Sequence, residues 1–162
     1  MAGNMIEIEN GWTKIPHWYI EKLMCFLTTE EFCVLMYVAR HIYGWQNKEE
    51  DPISLSQFSR GFKDRDGFQY DNGTGLCVNA IQKALNGLMD AKILIKVRSG
   101  RSFKDSTIWR LQDNLDNVDE EFLRERLISK RKSSKKRTQK ARITREKNIN
   151  GVEESHHDKV ST

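Results

Sequence analysis

Residues 74–97 read TGLCVNAIQKALNGLMDAKILIKV, a helix pattern followed directly by a strand pattern. Its apolar residues recur at spacings of three, one and three, which predicts an amphipathic helix over residues 77–90. The β-branched run at residues 92–97 follows at once and predicts a strand. The helix residues expected to face the core are Ile81, Ala84, Leu85 and Leu88.

The other face of this helix is small or amide-rich and carries no acid until Asp90. Amide side chains can form two hydrogen bonds with adenine, and lysine can reach guanine or a phosphate. The face therefore predicts a surface that reads bases in duplex DNA, with an ordinary solvated helix face as the alternative. Its residues are Val78, Asn79, Gln82, Lys83 and Asn86.

Two capping boxes predict helices upstream of this stretch. Thr28 and Glu31 open the first helix, and residues 32–43 are so apolar that they indicate a central core helix. Ser54 and Gln57 open a second, shorter helix. Each box satisfies backbone N–H groups that a helix N-terminus leaves unpaired, so both helix starts are well defined.

The remaining segments before residue 77 carry weaker patterns. Residues 14–25 predict a helix whose apolar face includes Ile20 and Met24, and Ile53 is expected to begin a short strand. Residues 63–75 hold three Gly and three Asp and predict a loop. The spaced acids of this loop do not meet the calcium-loop pattern, so a solvated turn is expected there.

Downstream, residues 107–111 predict a second strand, and the glycine-containing turn before it predicts a β-hairpin. The hairpin tip is basic, so its long side chains would reach DNA phosphates, which carry no direct sequence information. The candidate phosphate contacts are Lys96, Arg98, Arg101 and Lys104.

This order of elements predicts a mainly α, α+β fold over residues 1–115, namely a winged helix-turn-helix with a β-hairpin wing. In that arrangement the helix predicted at residues 77–90 enters the major groove, and the wing lies along the DNA backbone. The alternative is a small α+β domain without a nucleic-acid role.

The charge of the chain is concentrated near its C-terminus. Residues 124–147 hold twelve Lys and Arg against two Glu, a net charge of +10, whereas residues 1–123 have a net charge of −4. We expect an amphipathic helix at residues 116–129 and a basic, disordered tail at residues 130–162, because the tail has almost no apolar residues to bury. Candidate sequence-independent DNA contacts in the tail are Lys130, Arg131, Lys132, Lys135, Lys136 and Arg137.

Several motifs together resemble the N-terminal domain of the bacteriophage lambda replication protein O family. They are NGWTKIPHWYIEKLM, LTTEEFCVLMYVARHIYGW, ISLSQF and TGLCVNAIQKALNGLMDAKIL, in that order over about residues 10–97. The resemblance implies a winged-helix domain that binds repeated origin sites, often as a dimer, and nucleates the replication initiation complex. A helicase or its loader is the protein partner that the resemblance implies.

The chain departs from the family pattern at four places. Cys77 stands where the family has a helix-capping Ser, and Val78 and Asn79 replace two arginines, so the DNA sequence read should differ. Residues 63–72 are an insertion relative to short members. By this resemblance, we expect the larger C-terminal part of the family, which contacts the helicase-loading machinery, to be absent or reduced to the basic tail.

Other classes of protein are disfavoured by composition. The three cysteines have no CxxC spacing, which argues against a disulfide framework or a zinc site and favours a reducing cytoplasm. No apolar run approaches the ~20 residues that span a bilayer, and no secretory signal is visible. Walker A, GxGxxG, GxSxG and HExxH motifs are missing, so we expect no enzyme activity, no cofactor and no metal.

The leading functional interpretation is a sequence-specific duplex DNA-binding protein of phage or mobile-element type that acts in replication initiation. A winged-helix transcriptional regulator and a protein-interaction adaptor with a nucleic-acid-binding tail are the alternatives. The sequence is also compatible with a homodimer, because a single helix reads few base pairs. The apolar side chains that would either form its interface or pack back onto the domain are Val118, Phe122, Leu123 and Leu127.

Overall fold

The computed structural model describes residues 13–44, 48–100 and 105–157 of the 162-residue chain. The chain divides into two compact units, Met1–Leu123 and Arg124–Thr162. The first unit is an α+β domain with a small three-stranded antiparallel sheet.

Two helices of the first unit begin where the capping residues predict. Thr28 Oγ1 accepts a hydrogen bond from Glu31 N at 3.2 Å, and Glu31 Oε2 accepts one from Thr28 N at 2.7 Å. Ser54 and Gln57 form the same reciprocal pair. The helices are α1 (Thr29–Ala39), α2 (Leu55–Arg60) and α3 (Val78–Asp90), with π-helical turns at Tyr19–Leu23 and Arg40–Gly44 and a 3₁₀ turn at Leu115–Asn117.

The sheet contains β1 (Glu50–Ile53), β2 (Leu94–Arg98) and β3 (Thr107–Leu111) in the order β1-β3-β2. The prediction for β3 is confirmed, whereas β2 begins two residues later than predicted. β1 ends at Ile53 instead of beginning there, and it contains Pro52, which a sheet tolerates on an edge strand. β3 is therefore central and pairs with both neighbours.

The core lies between α1, α3 and one face of the sheet. The four core positions predicted in α3 are all buried, which confirms the amphipathic pattern. The π-helical turn at Tyr19–Leu23 buries its two ends and leaves Ile20 and Met24 each 47% exposed, so the predicted inward position of those two residues is wrong. The largest fully buried side chains include Tyr19, Leu23, Leu35, Ile42, Phe58, Ile81, Leu88, Ile93 and Leu111.

Three of the four residues considered for a dimer interface pack instead within the first unit. Val118 and Leu123 are buried in the core, and Phe122 packs against it. Asp119 Oδ1 accepts a hydrogen bond from Phe122 N at 3.0 Å, which caps the start of α4 (Glu120–His157). These three apolar side chains therefore pack against other residues of the same chain.

The C-terminal part differs from the predictions of a helix over residues 116–129 and a disordered tail beyond it. α4 starts at Glu120 and continues as one helix to His157. The segment contains no proline, and its Lys, Arg, Glu and Gln side chains are good helix formers. Local backbone preference therefore favours a helix where the lack of apolar residues indicated disorder.

In order and pairing, α2, α3 and the β2–β3 hairpin are compatible with a winged helix. Among the described residues, no helix is both long and apolar enough to cross a membrane.

Candidate nucleic-acid interface

The outward face of α3 is open to solvent along its whole length. All five residues predicted for it are exposed, with Val78 45% exposed at the first position of the helix. The buried residues Ile81, Ala84, Leu85 and Leu88 hold the opposite face against the core. The sequence pattern therefore placed both faces correctly.

A cleft of about 300 Å³ separates one side of α3 from the sheet. Its lining includes Gln82 and Asn86 from α3, Lys96 from β2, and Ser99 and Thr107 from the hairpin. Two amide side chains, a lysine and two hydroxyl side chains therefore line one opening, together with the apolar residues Ile53, Leu55, Leu85, Met89 and Trp109. The sequence pattern did not single out Ser99 and Thr107, because neither belongs to a charged or amide-bearing run.

A second side of α3 faces a different neighbour. Asn79 and Lys83 line a cleft of about 390 Å³ together with Thr28, Glu30 and Cys77. The carboxylates of the first turn of α1 thus lie beside the same cleft as Lys83. The predicted face is consequently divided, with one half toward the hairpin and the other half toward the N-terminus of α1.

The wing cations are only partly available for a phosphate. Lys96 is exposed, whereas Arg98 Nη2 lies 2.7 Å from Asp105 Oδ1 across the hairpin. An exposed pair of this kind contributes little net stability, so a phosphate can compete for the guanidinium group. Arg101 and Lys104 lie outside the described residues.

The hairpin arms approach each other closely near the tip. A Cβ on Gly100 would collide with the backbone oxygen of Asp105, so the turn requires glycine. The β2–β3 register shifts between Lys96 and Arg98, and such irregularities increase local twist.

α3 begins without the usual side-chain cap. Cys77 occupies the capping position in an extended conformation (φ −71°, ψ 155°), and in the described part of the chain its side chain forms no capping hydrogen bond. Its exposed thiol lies at the start of the predicted reading face. The structure therefore agrees with the prediction that Cys77 is a poor capping residue.

Two acidic side chains of the loop between α2 and α3 accept hydrogen bonds that hold the loop in place. Asp64 Oδ1 accepts a hydrogen bond from Phe68 N at 2.8 Å. Asp71 binds Tyr37 and two backbone N–H groups. Among the residues that the structure describes, no three His, Cys, Asp or Glu side chains are grouped so that they could hold a metal ion.

The basic segment of the second unit is helical. Arg131, Lys132 and Lys136 are exposed on α4. The side chains of Lys130, Lys135 and Arg137 lie outside the described residues.

These observations describe a small α+β domain in which one helix and an adjacent β-hairpin form a polar, partly basic face. The chain belongs to the bacteriophage replication protein O family, whose model matches residues 4–108, more than half of the sequence. This match confirms the resemblance seen in the sequence motifs. The family is one of replication initiators and not of known enzymes. No curated protein and no solved structure matches the chain.

Proposed function

We propose that this chain is a winged-helix protein that binds a specific duplex DNA sequence at a phage replication origin and acts in replication initiation. α2 and α3 are the helix-turn-helix, and the β2–β3 hairpin is the wing. Membership of a phage replication family supports the process, and the open polar face of α3 supports the mode of binding.

The observation that carries the proposal is the shared cleft of Gln82, Asn86 and Lys96. With α3 in the major groove, the two amides face base edges and form paired hydrogen bonds to adenine. The lysine on the hairpin then lies beside the same duplex and binds a phosphate. Base contacts supply the sequence preference, and phosphate contacts fix the orientation of the domain.

The charge distribution supports different roles for the two parts of the chain in DNA binding. Residues 1–123 have a net charge of −4, so this unit attracts DNA only through locally arranged groups. The +10 of residues 124–147 supplies long-range, sequence-independent attraction. The candidate contacts of that segment are Arg131, Lys132 and Lys136 together with Lys130, Lys135 and Arg137.

Two partners follow from the same proposal. A two-fold dimer would double the number of base pairs that are read. A helicase or its loader would be the protein recruited to the origin. Because Val118, Phe122 and Leu123 are used within the domain, a dimer requires a different surface.

The test is selection of bound duplexes from a random pool, followed by location of the selected motif in the source genome. Repeated copies of the motif in a replication origin are the expected result. A motif that overlaps a promoter would instead support a transcriptional regulator. Recovery of duplexes without a common motif would contradict sequence-specific binding.

A further inference from the structure

Residues 62–70, between α2 and α3, form a small ordered turn that we call the aromatic hairpin. Tyr70 N donates a hydrogen bond to Phe62 O at 2.9 Å, and Asp64 N donates one to Phe68 O at 3.0 Å. Lys63 and Gln69 form the antiparallel bridge between the two arms. The segment predicted as a loop is therefore held by paired backbone groups.

Asp71 anchors this hairpin to the core helix α1. Its Oδ1 accepts hydrogen bonds from Tyr37 Oη at 3.0 Å and from Gly73 N at 2.8 Å. Its Oδ2 accepts one from Phe62 N at 3.2 Å. Gly61 has φ +81°, and a Cβ there would collide with Asp71 O, so the base of the hairpin is fixed by close backbone packing.

The hairpin displays three aromatic side chains to solvent. Phe62 is 36% exposed, Phe68 is 63% exposed and Tyr70 is 47% exposed. Their rings form one cluster, with centroids 5.4 Å apart for Phe62 and Tyr70 and 4.9 Å apart for Phe68 and Tyr70. A clustered apolar surface on an ordered segment marks a contact site.

Charged side chains alternate with these rings. Arg60, Lys63 and Arg65 are exposed, as is Asp66, while the carboxylates of Asp64 and Asp71 accept hydrogen bonds within the hairpin. Single-stranded nucleic acid is bound by this combination, because bases stack on aromatic faces while cations contact the phosphates. Bases within a duplex are already stacked on one another, so they offer no free face to such rings.

We propose that the aromatic hairpin binds unpaired bases of single-stranded DNA. Its location in the turn between α2 and α3 puts this contact beside the duplex site, and that part of the proposal rests on the proposed function. The stacking contact itself is independent of any duplex site, and it is measured separately.

The experiment uses the full chain and a short oligothymidine carrying one 2-aminopurine, whose fluorescence reports stacking. Affinity is measured at about 0.2 M salt, where the Debye length is below ~10 Å and the pull of the basic segment is screened. Phe68→Ala should weaken single-strand binding by roughly 5- to 100-fold, the cost of removing one base stack. It should also reduce the change in 2-aminopurine fluorescence.

Two further variants separate stacking from simple apolar contact. Phe68→Tyr keeps the ring and should bind like the unmodified chain. Phe68→Leu keeps apolar volume without the ring and should bind like Phe68→Ala. Met24→Ala removes another accessible apolar side chain, outside the hairpin, and should change nothing.

Three outcomes would overturn the proposal. Equal single-strand affinity for all variants would show that the hairpin does not contact the strand. Full single-strand affinity of Phe68→Leu would show that an apolar contact without ring stacking is enough. Equal losses on single strand and on the selected duplex would place the hairpin on duplex DNA. If only the proposed duplex function is wrong, the selection will yield no common motif, while the variants will still differ in single-strand affinity.

Discussion

His41 Nδ1 lies 3.1 Å from Asp51 Oδ2, and both side chains are buried. Lys48 Nζ lies 2.8 Å from the other carboxylate oxygen. Because an ionised carboxylate only accepts hydrogen bonds, His41 donates from Nδ1. The turn that follows α1 is thereby tied to β1, directly opposite Trp109 in the sheet.

Asp51→Asn should lower the free energy of unfolding at neutral pH by about 1.5–3 kcal/mol, the range for hydrogen bonds to charged groups. Glu50→Gln is the matched control, because Glu50 pairs with Arg110 at the surface, where solvent screens the interaction. Urea denaturation of the three proteins checks this. A loss for Glu50→Gln as large as that for Asp51→Asn would contradict a special role of the buried pair.

The same variant should alter the acid dependence of stability. Burial would raise the pKa of Asp51, but hydrogen bonds from His41 and Lys48 outweigh it and hold the pKa below its ordinary value of 3.8. Since the folded-state pKa is depressed, the stabilisation is complete above the unfolded value and is lost as pH falls through the folded one. The stability difference between Asp51→Asn and the unmodified chain should therefore shrink below about pH 4.

Asn79→Ala and Gln82→Ala should each lose ~1–3 kcal/mol of binding on the preferred duplex and little on random DNA. Asn72→Ala removes an exposed amide outside α3 and serves as the control. Affinities on the selected motif and on a scrambled duplex decide the matter. If both α3 variants keep the full preference, the assignment of α3 as the reading helix is wrong.

Arg98→Ala, alone or with Arg101→Ala, should weaken binding to specific and random duplexes alike, because phosphates carry no direct sequence information. Arg110→Ala is matched in chemistry, since Arg110 is also paired with a carboxylate on the sheet, but Arg110 lies further from the hairpin tip, opposite Ile95. A change confined to one base position would place the wing in a groove instead.

Replacing Arg131, Lys132 and Lys136 with Gln removes three charges while keeping good helix formers in α4. The log–log salt slope of duplex affinity should flatten by ~0.9 for each phosphate that the segment no longer neutralises. Truncation after Ser129 should flatten it by roughly 4–5 units if about half of the removed cations bind at once. Unchanged slopes would indicate a solubilising segment, and a changed motif would show that the segment reads bases.

Cys77→Ser should stabilise the chain by about 1 kcal/mol, because the backbone at Cys77 already has the extended conformation of a helix cap. Cys77→Asp should stabilise it similarly but weaken duplex binding, since it adds a negative charge where α3 meets DNA. Cys25→Ser, at an exposed cysteine away from a helix start, is the control. A serine variant no more stable than the control would contradict a missing cap.

Local rules predicted α1 and α2 because each of these two starts is decided within four residues, and they predicted α3 from its apolar spacing. The capping pairs Thr28–Glu31 and Ser54–Gln57 are confirmed. The two faces of α3 followed from spacing alone, and they positioned every predicted α3 residue of the candidate site on the exposed side. Nothing comparable identified the cleft partners Ser99 and Thr107, which are brought there by the sheet.

Long-range pairing accounts for most of what the sequence did not reveal. The residues of β1 read EDPI, a poor strand by composition, and they form a strand because β3, more than fifty residues later, supplies their partners. Asp71 likewise binds Tyr37 from a distant helix, so an apparently loose loop becomes ordered. In α4, the high charge content indicated disorder, whereas the helix propensity of the residues indicated a helix. The segment has no apolar stripe that would have favoured one prediction over the other.

The two edges of the sheet have unequal capacity to accept another strand. Pro52 removes a donor from β1, whereas β2 keeps its backbone groups and exposes Ile95 and Val97. Chains that joined through β2 would leave β1 at both outer ends. Strand addition is therefore expected to favour pairs of chains joined through β2 over longer assemblies.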